Sequence, residues 1–265
     1  MRLSEHPKLS KLQMNRQYAL IALVSSLAAA VHLCAQGGPP MLTDDPGTPG
    51  ANKWELNEGW TTLRTPGSTL TGLPELDLNY GIGDRIEVTY FVNYDDLSTS
   101  GENSRWGLSG SEFAVKWRFY DTGEGGAQMS VYPQVNSPTP WTHSDRRGFA
   151  ESGISYELPV EYEKDFKIVS VNLDLGHSFE TDHRMDGWFG GICIGRQISK
   201  GWDIDGEVHI EADNGASHVE AIMNLATRID ISENYTLMFL VGRDLSNTLG
   251  PTSSFMSYVG LQIRI

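Results

Sequence analysis

Twenty residues, Glu75 to Tyr94 (ELDLNYGIGDRIEVTYFVNY), restrict the possible folds of this 265-residue chain more than any other stretch. Leu76, Leu78 and Tyr80 alternate with Glu75, Asp77 and Asn79; Gly81 to Asp84 supplies a tight reversal; then Ile86, Val88, Tyr90 and Val92 alternate with Glu87, Thr89, Phe91 and Asn93. Successive side chains of a strand point to opposite sides, so this is a β-hairpin with one apolar and one largely polar face. Each strand runs about ten residues, longer than the usual five or six of soluble sheets and close to the length that crosses a bilayer at a tilt. The same rhythm recurs to the last residue and predicts an all-β protein, a transmembrane antiparallel up-and-down β-barrel of about twelve strands. A barrel with a wet interior turns only alternate residues to lipid, so a mean hydropathy of −0.31 is compatible with this class.

Residues 1–35 stand apart. Arg2, Lys8, Lys11 and Arg16 give a basic start, and Ala19 to Ala35 is an apolar run ending in small residues, short for a spanning helix and followed by Gly-Gly-Pro-Pro. This predicts an export signal cleaved near Ala35. A lipoprotein signal through Cys34 is the alternative, against which Leu33 sits where a small residue is expected. Removal of the signal leaves 16 basic and 33 acidic residues, a charge of about −17, which argues against a nucleic-acid partner. Only Cys193 then remains, so no intrachain disulfide can close the fold.

Residues 36–52 are rich in Pro and Gly and aperiodic, an extended N-terminal segment leading into a barrel over 53–265. Asp44 and Asp45 read as a solvated turn before Pro-Gly, with a metal site as the alternative. Gly38-Pro39-Pro40, Leu42-Thr43-Asp44-Asp45-Pro46 and Trp54-Glu55-Leu56-Asn57, followed by Tyr80-Gly81-Ile82-Gly83-Asp84-Arg85-Ile86-Glu87, resemble the recurrent motifs of the outer-membrane barrel family catalogued under the MetA pathway of phenol degradation, whose members are labelled transporters. The resemblance covers about fifty residues, and it implies an outer-membrane barrel with an uptake role and hydrophobic or aromatic substrates.

Twelve strands are expected near 53–64, 73–82, 85–95, 111–121, 126–136, 153–162, 166–177, 187–198, 202–213, 219–231, 235–243 and 254–265. Short linkers (81–84, 121–125, 164–165, 199–201, 232–234) alternate with longer polar ones (65–72, 96–110, 137–152, 178–186, 214–218, 244–253), as in barrels with short periplasmic turns and longer outer loops. Phe113, Val115, Trp117 and Phe119 oppose Glu112, Ala114, Lys116 and Arg118; Ile204, Gly206, Val208 and Ile210 oppose Asp203, Asp205, Glu207, His209 and Glu211. Charges cost a few kcal/mol at the bilayer midplane, so the charged rows belong to the interior. Glu58, in an apolar row, is expected near an interface. Trp54, Trp60, Tyr94, Trp117, Tyr120, Tyr162, Trp188, Trp202 and Tyr235 are expected near strand ends as interfacial girdles, ordinary core packing being the alternative. The last strand ends on Ile265, where such barrels usually place an aromatic.

Catalytic patterns are sparse, and the chain is read as a non-enzyme without a cofactor. His177 to His183 with Asp186 offers carboxylates and imidazoles for a divalent ion on an outer loop, or simply a solvated acidic loop. Ser178 beside His177 makes no catalytic pair, because strand neighbours face opposite ways. The expected lumen lining is Glu75, Asp77, Asn79, Glu87, Glu112, Lys116, Arg118, Asp203, Asp205, Glu207, His209, Glu211, Asn224 and Arg228, predominantly acidic and therefore weakly cation-selective. Phe91, Met238 and Leu240 offer an apolar step within it. The expected function is passive diffusion of small-molecule solutes across the outer membrane of a Gram-negative-type envelope, after export through the inner membrane, with outer-membrane lipid and the barrel-insertion machinery as partners. A closed structural or recognition barrel and a soluble exported ligand-binding β-sandwich remain the alternatives, and residues 37–52 are a candidate gate.

Overall fold

The computed structural model describes residues 38–123, 125–181, 186–248 and 255–265. The expected export signal, with Cys34, and His183 lie outside these residues. The strands are β1 (Trp54–Thr65), β2 (Ser68–Ile82), β3 (Ile86–Thr99), β4 (Arg105–Asp121), β5 (Ala127–Val131), β6 (Gln134–Pro138), β7 (Ser155–Glu157), β8 (Val160–Phe166), β9 (Val169–Glu180), β10 (Gly187–Ser199), β11 (Trp202–Asp213), β12 (Val219–Asp230), β13 (Tyr235–Asn247) and β14 (Phe255–Arg264).

Two pairs of these elements are single barrel strands broken at a proline. β5 and β6 both pair with β4 and are separated by Tyr132-Pro133; β7 and β8 both pair with β9 and are separated by Leu158-Pro159. Proline has no N–H for the ladder. The adjoining groups keep the wall bonded: Tyr132 N donates to Pro159 O at 3.2 Å, Val115 N to Pro133 O at 3.1 Å, and Leu158 N to His177 O at 3.1 Å. Twelve antiparallel barrel strands result. β1 pairs with β14 from Glu55 opposite Arg264 to Arg64 opposite Phe255, and Trp54 and Ile265 exchange backbone bonds at 2.7 and 3.0 Å. The sheet thereby closes on itself, and the edge that would leave backbone groups unpaired in lipid disappears.

Side chains sort as the alternation requires. Phe113, Trp117, Ile194, Leu225 and Val259 face outward and are exposed, whereas Asp77, Glu87, Lys116, Glu161, Asp205, Glu207 and Arg228 point inward and are buried. Along β4, Trp106 and Trp117 are both exposed outer residues eleven positions apart, an odd spacing brought to one face by the register shift opposite Val92–Tyr94. At about 3.3 Å per residue and a tilt near 45° they lie roughly 25 Å apart along the membrane normal, the height of an outer-membrane apolar band. Trp188 and Phe179, like Trp106, lie at strand ends beside the longer connections, and Trp54, Trp202 and Tyr235, like Trp117, toward the end of the short turns.

Several sequence expectations need correction. β2, β3 and β4 continue well past their apolar rows, with Thr69 opposite Ser98 and Asp96 opposite Trp106, so the linker expected at 65–72 is a turn at Pro66-Gly67 and that at 96–110 shrinks to residues 100–104. Polar ladders extend beyond lipid because backbone pairing there needs no apolar face. The turn expected at 164–165 lies at Lys167-Ile168, since Phe166 pairs with Val169. Trp60 and Tyr162 fall within strands and not at their ends. Glu58 is exposed on the outer face opposite Leu76 and Leu261, four residues from Trp54, or roughly 9 Å further into the band at the same rise and tilt.

Candidate functional site in the barrel lumen

Residues 38–50 run inside the barrel. Approaching β1 the segment follows β2, with Asn52 N donating to Gly81 O and Gly81 N to Lys53 O, both at 2.9 Å. A Cβ on Gly81 would lie 1.9 Å from Gly50 O, so glycine is what lets the two backbones pass. Further in, Gly38 and Met41 close a tight turn through Gly38 N to Thr43 O and Met41 N to Gly38 O, each 2.8 Å.

Charged side chains from the wall hold this turn. Glu207 on β11 accepts Thr43 N at 2.5 Å and Leu42 N at 3.2 Å, and its Oε2 also accepts Asn224 Nδ2 at 2.6 Å. Asp174 on β9 accepts Asp44 N at 3.4 Å and also the backbone N–H of Gly191. Arg228 donates to Gly38 O at 3.3 Å, and Lys116 Nζ to Asp45 O at 2.6 Å. Lys116 also lies 3.8 Å from Glu161 and 4.0 Å from Glu87, with its ammonium 4.4 Å from the Tyr132 ring centroid. Thr43 is wholly buried against Gly191, where a Cβ would fall 2.0 Å from Thr43 Oγ1. Met41 packs with Cys193, Ala226, Met238, Leu240 and Tyr258. Asp45 Oδ1 accepts Gly47 N at 2.5 Å, which makes the Asp44-Asp45 stretch a turn, though one enclosed by the barrel wall and not the solvated turn expected from the sequence. Burial pushes the Asp44 carboxyl up to about 7; Lys116 opposes the shift, while Asp174, Asp45 and Asp77 add to it.

The segment divides the lumen. On the side of the short turns is a polar pocket of about 110 Å³, lined by Glu55, Asn79, Glu87, Lys116 and Gln262 with residues of the segment. On the other side lies a cavity of about 890 Å³ whose floor includes Pro40, Met41 and Leu42 and whose rim reaches Asp213 and His218. Phe91, Leu63, Leu70, Leu240 and Met256 give it apolar wall, and Glu75, Asp77, Glu112, Glu157 and Glu211 give it carboxylates.

The COG4313 outer membrane channel from Pseudomonas putida F1 superposes on this chain with a TM-score of 0.69 at 14% identity, over 83% of this chain and 98% of that one. The fold is that of an outer-membrane β-barrel. Two further barrels are similar, the KdgM porin (TM-score 0.56, 12% identity, 78% of this chain and 98% of that one) and the NanC porin (0.54, 8%, 80% and 100%). No protein-family model and no curated protein sequence matches the chain.

Within this outer-membrane barrel the expected lining residues divide by height. Glu75, Glu112, His209 and Glu211 face the large cavity, Asp77 faces both spaces, and Asn79, Glu87 and Lys116 face the small pocket. Glu207, Asn224, Asp205 and Arg228 lie around the inserted turn, Arg228 being 4.0 Å from Asp205. Arg118 and Asp203 sit at the short-turn end, Arg118 donating to Asp84 O and lying 3.3 Å from Asp121. Phe91 and Leu240 line the large cavity, and Met238 is buried beneath. His177 belongs to β9 and not to a loop; it stacks on the outside against Trp188 and Phe179 while Ser178 faces the cavity. Among the described residues no group of three or more His, Cys, Asp or Glu is placed to hold a metal ion. Asp174, Glu161, Gly191 and Thr43 escaped the sequence reading, although Asp174 sits in the polar row between Leu173 and Leu175.

Proposed function

We propose that this chain is a passive outer-membrane channel for small molecules whose lumen is constricted by residues 38–50. The observation that carries the reading is the polar interior, divided by one inserted turn held mainly by hydrogen bonds and ion contacts from the wall. A closed wall of apolar outer residues suits lipid, and an interior with cavities on both sides of a narrow septum suits solute passage more than a filled structural core. The names of the similar proteins, a channel and two porins, agree with it. Export, insertion by barrel machinery and placement in the outer membrane follow from the same reading. The motif resemblance to the phenol-pathway transporter family coincides with the septum itself, Gly38 to Pro46, and supports hydrophobic or aromatic solutes.

Single-channel conductance of the folded mature chain in a planar bilayer tests the proposal. Discrete steps with cation preference at low salt, enlarged by deletion of residues 38–50, are expected. Silence in both forms, from inserted protein, overturns the channel in favour of a structural barrel, a reading that the hydrogen bonds filling mid-lumen favour. Equal steps in both forms remove the constriction.

A further inference from the structure

The acidic excess of the lumen is concentrated in the large cavity. Among the described residues eight carboxylates line it, yet no lysine or arginine does. The interior cations Lys116 and Arg228 are committed at the septum, to the Asp45 and Gly38 carbonyls and to the carboxylates beside them. Among the described residues the cavity's acids face no basic group except His209 and His218.

Two buried polar atoms at the edge of this space have no hydrogen-bond partner. Asp77, 8% exposed, has Oδ2 occupied by the Asn57 amide at 2.9 Å, while its Oδ1 meets no donor. His209, 5% exposed, has a partnerless Nδ1, and its Nε2 is 3.8 Å from Glu211. Buried polar atoms are normally hydrogen-bonded, so orphans at the edge of a cavity mark where a donor fits. The rest of the lining is not that of a water-filled cation vestibule. Phe91, Leu63, Leu70, Leu240 and Met256 form apolar wall, and about 890 Å³ falls in the range of small-molecule sites.

We propose that this cavity binds an organic cation, an ammonium carried on an aromatic or branched alkyl body. The ammonium supplies donors to the carboxylate side and the body covers the apolar wall. A bare metal ion would leave that wall wet, and a neutral aromatic would leave the acids unanswered. As the substrate class of the channel, the inference rests on the proposal above; as a binding site, it does not.

The test is calorimetric titration of the detergent-folded mature barrel with three matched probes: 2-phenylethylammonium, neutral 2-phenylethanol and anionic 3-phenylpropanoate. The ammonium is expected to bind at least ~10-fold more tightly than the alcohol, with the anion unbound, and the preference should shrink between 50 and 500 mM salt as the acids are screened. Glu75→Gln with Glu112→Gln should reduce the preference several-fold. Equal binding of ammonium and alcohol, or preference for the anion, overturns the proposal on the wild-type protein whether or not the variant folds. Sodium chloride flux measured in parallel separates the two claims: selective ammonium binding by a barrel that conducts nothing keeps the site and removes the channel.

Discussion

The carboxylate of Glu207 accepts the backbone N–H of Thr43 at 2.5 Å across 164 residues of chain. Both partners are buried, and Leu42 N at 3.2 Å shares the same carboxylate. A wall residue thus holds the backbone of the septum, independent of the side chains the septum carries.

Glu207→Ala should free the turn. Hydrogen bonds to a charged group are worth about 1.5–3 kcal/mol each, so loss of this seat should raise the released population by at least about tenfold. Cys193, fully buried beneath Met41, reports it. In a chain lacking residues 1–35, and so without Cys34, a thiol reagent should modify Cys193 far faster in the variant, while the melting of the barrel changes little.

Gly191→Val should act on the same seat from the neighbouring strand, β10. Its added carbon meets Thr43 Oγ1, which lies 2.0 Å from the ideal Cβ position. The expected outcome is again faster Cys193 modification and larger conductance. Thr43→Gly in the same molecule removes the obstructing hydroxyl and should restore slow labelling, a reversal that general misfolding would not show.

Lys116→Met leaves Glu161 and Glu87 without their shared cation. Breaking a buried ion pair by deleting one partner costs about 3–5 kcal/mol. Resistance to heat-induced unfolding in detergent should fall accordingly, and Lys116→Met with Glu161→Gln should recover part of the loss.

Leu225 is exposed on the outer face near the middle of β12. Leu225→Arg should cost about 2–4 kcal/mol of folding into lipid, the midplane value for a barrel. Denaturant titration in liposomes measures it. A change near zero would mean this face does not meet lipid.

The septum should also respond to pH. A carboxyl held at about 7 in the seated state, against 3.8 when free, favours the seated form while protonated. Seating is therefore strongest below about pH 4 and weakens as pH rises through about 7. Cys193 labelling, divided at each pH by the labelling rate of the unfolded chain to remove the thiolate's own rise, should accelerate over that window, and Asp44→Asn should flatten that ratio.

What was legible in the sequence was whatever repeats every two residues. Leu76, Leu78 and Tyr80 against Asp77 and Asn79, or Ile204 and Ile210 against Asp205 and Glu207, place each side chain inside or outside by parity alone. Parity misreads the face of Trp106, because a register shift opposite Val92–Tyr94 adds one residue to β4, and it reads Ser98 poorly, because past the apolar rows neither face must be apolar; the strand extensions 68–72 and 96–99 are not legible for that reason. Gly191 had no face to read, having no side chain.

Strand number and the inward acidic rows were thus determined by local alternation, a property each hairpin expresses without reference to the others, whereas closure is the tertiary pairing of β1 with β14. The location of residues 38–50 was decided only by tertiary structure. That segment has no periodicity of its own, and its partners Glu207, Asp174, Lys116 and Arg228 are scattered over four strands that come together only when the wall closes. Backbone groups leaving water must find donors and acceptors somewhere. Inside this barrel, charged residues of the wall supply them, and no pattern within the segment announces that.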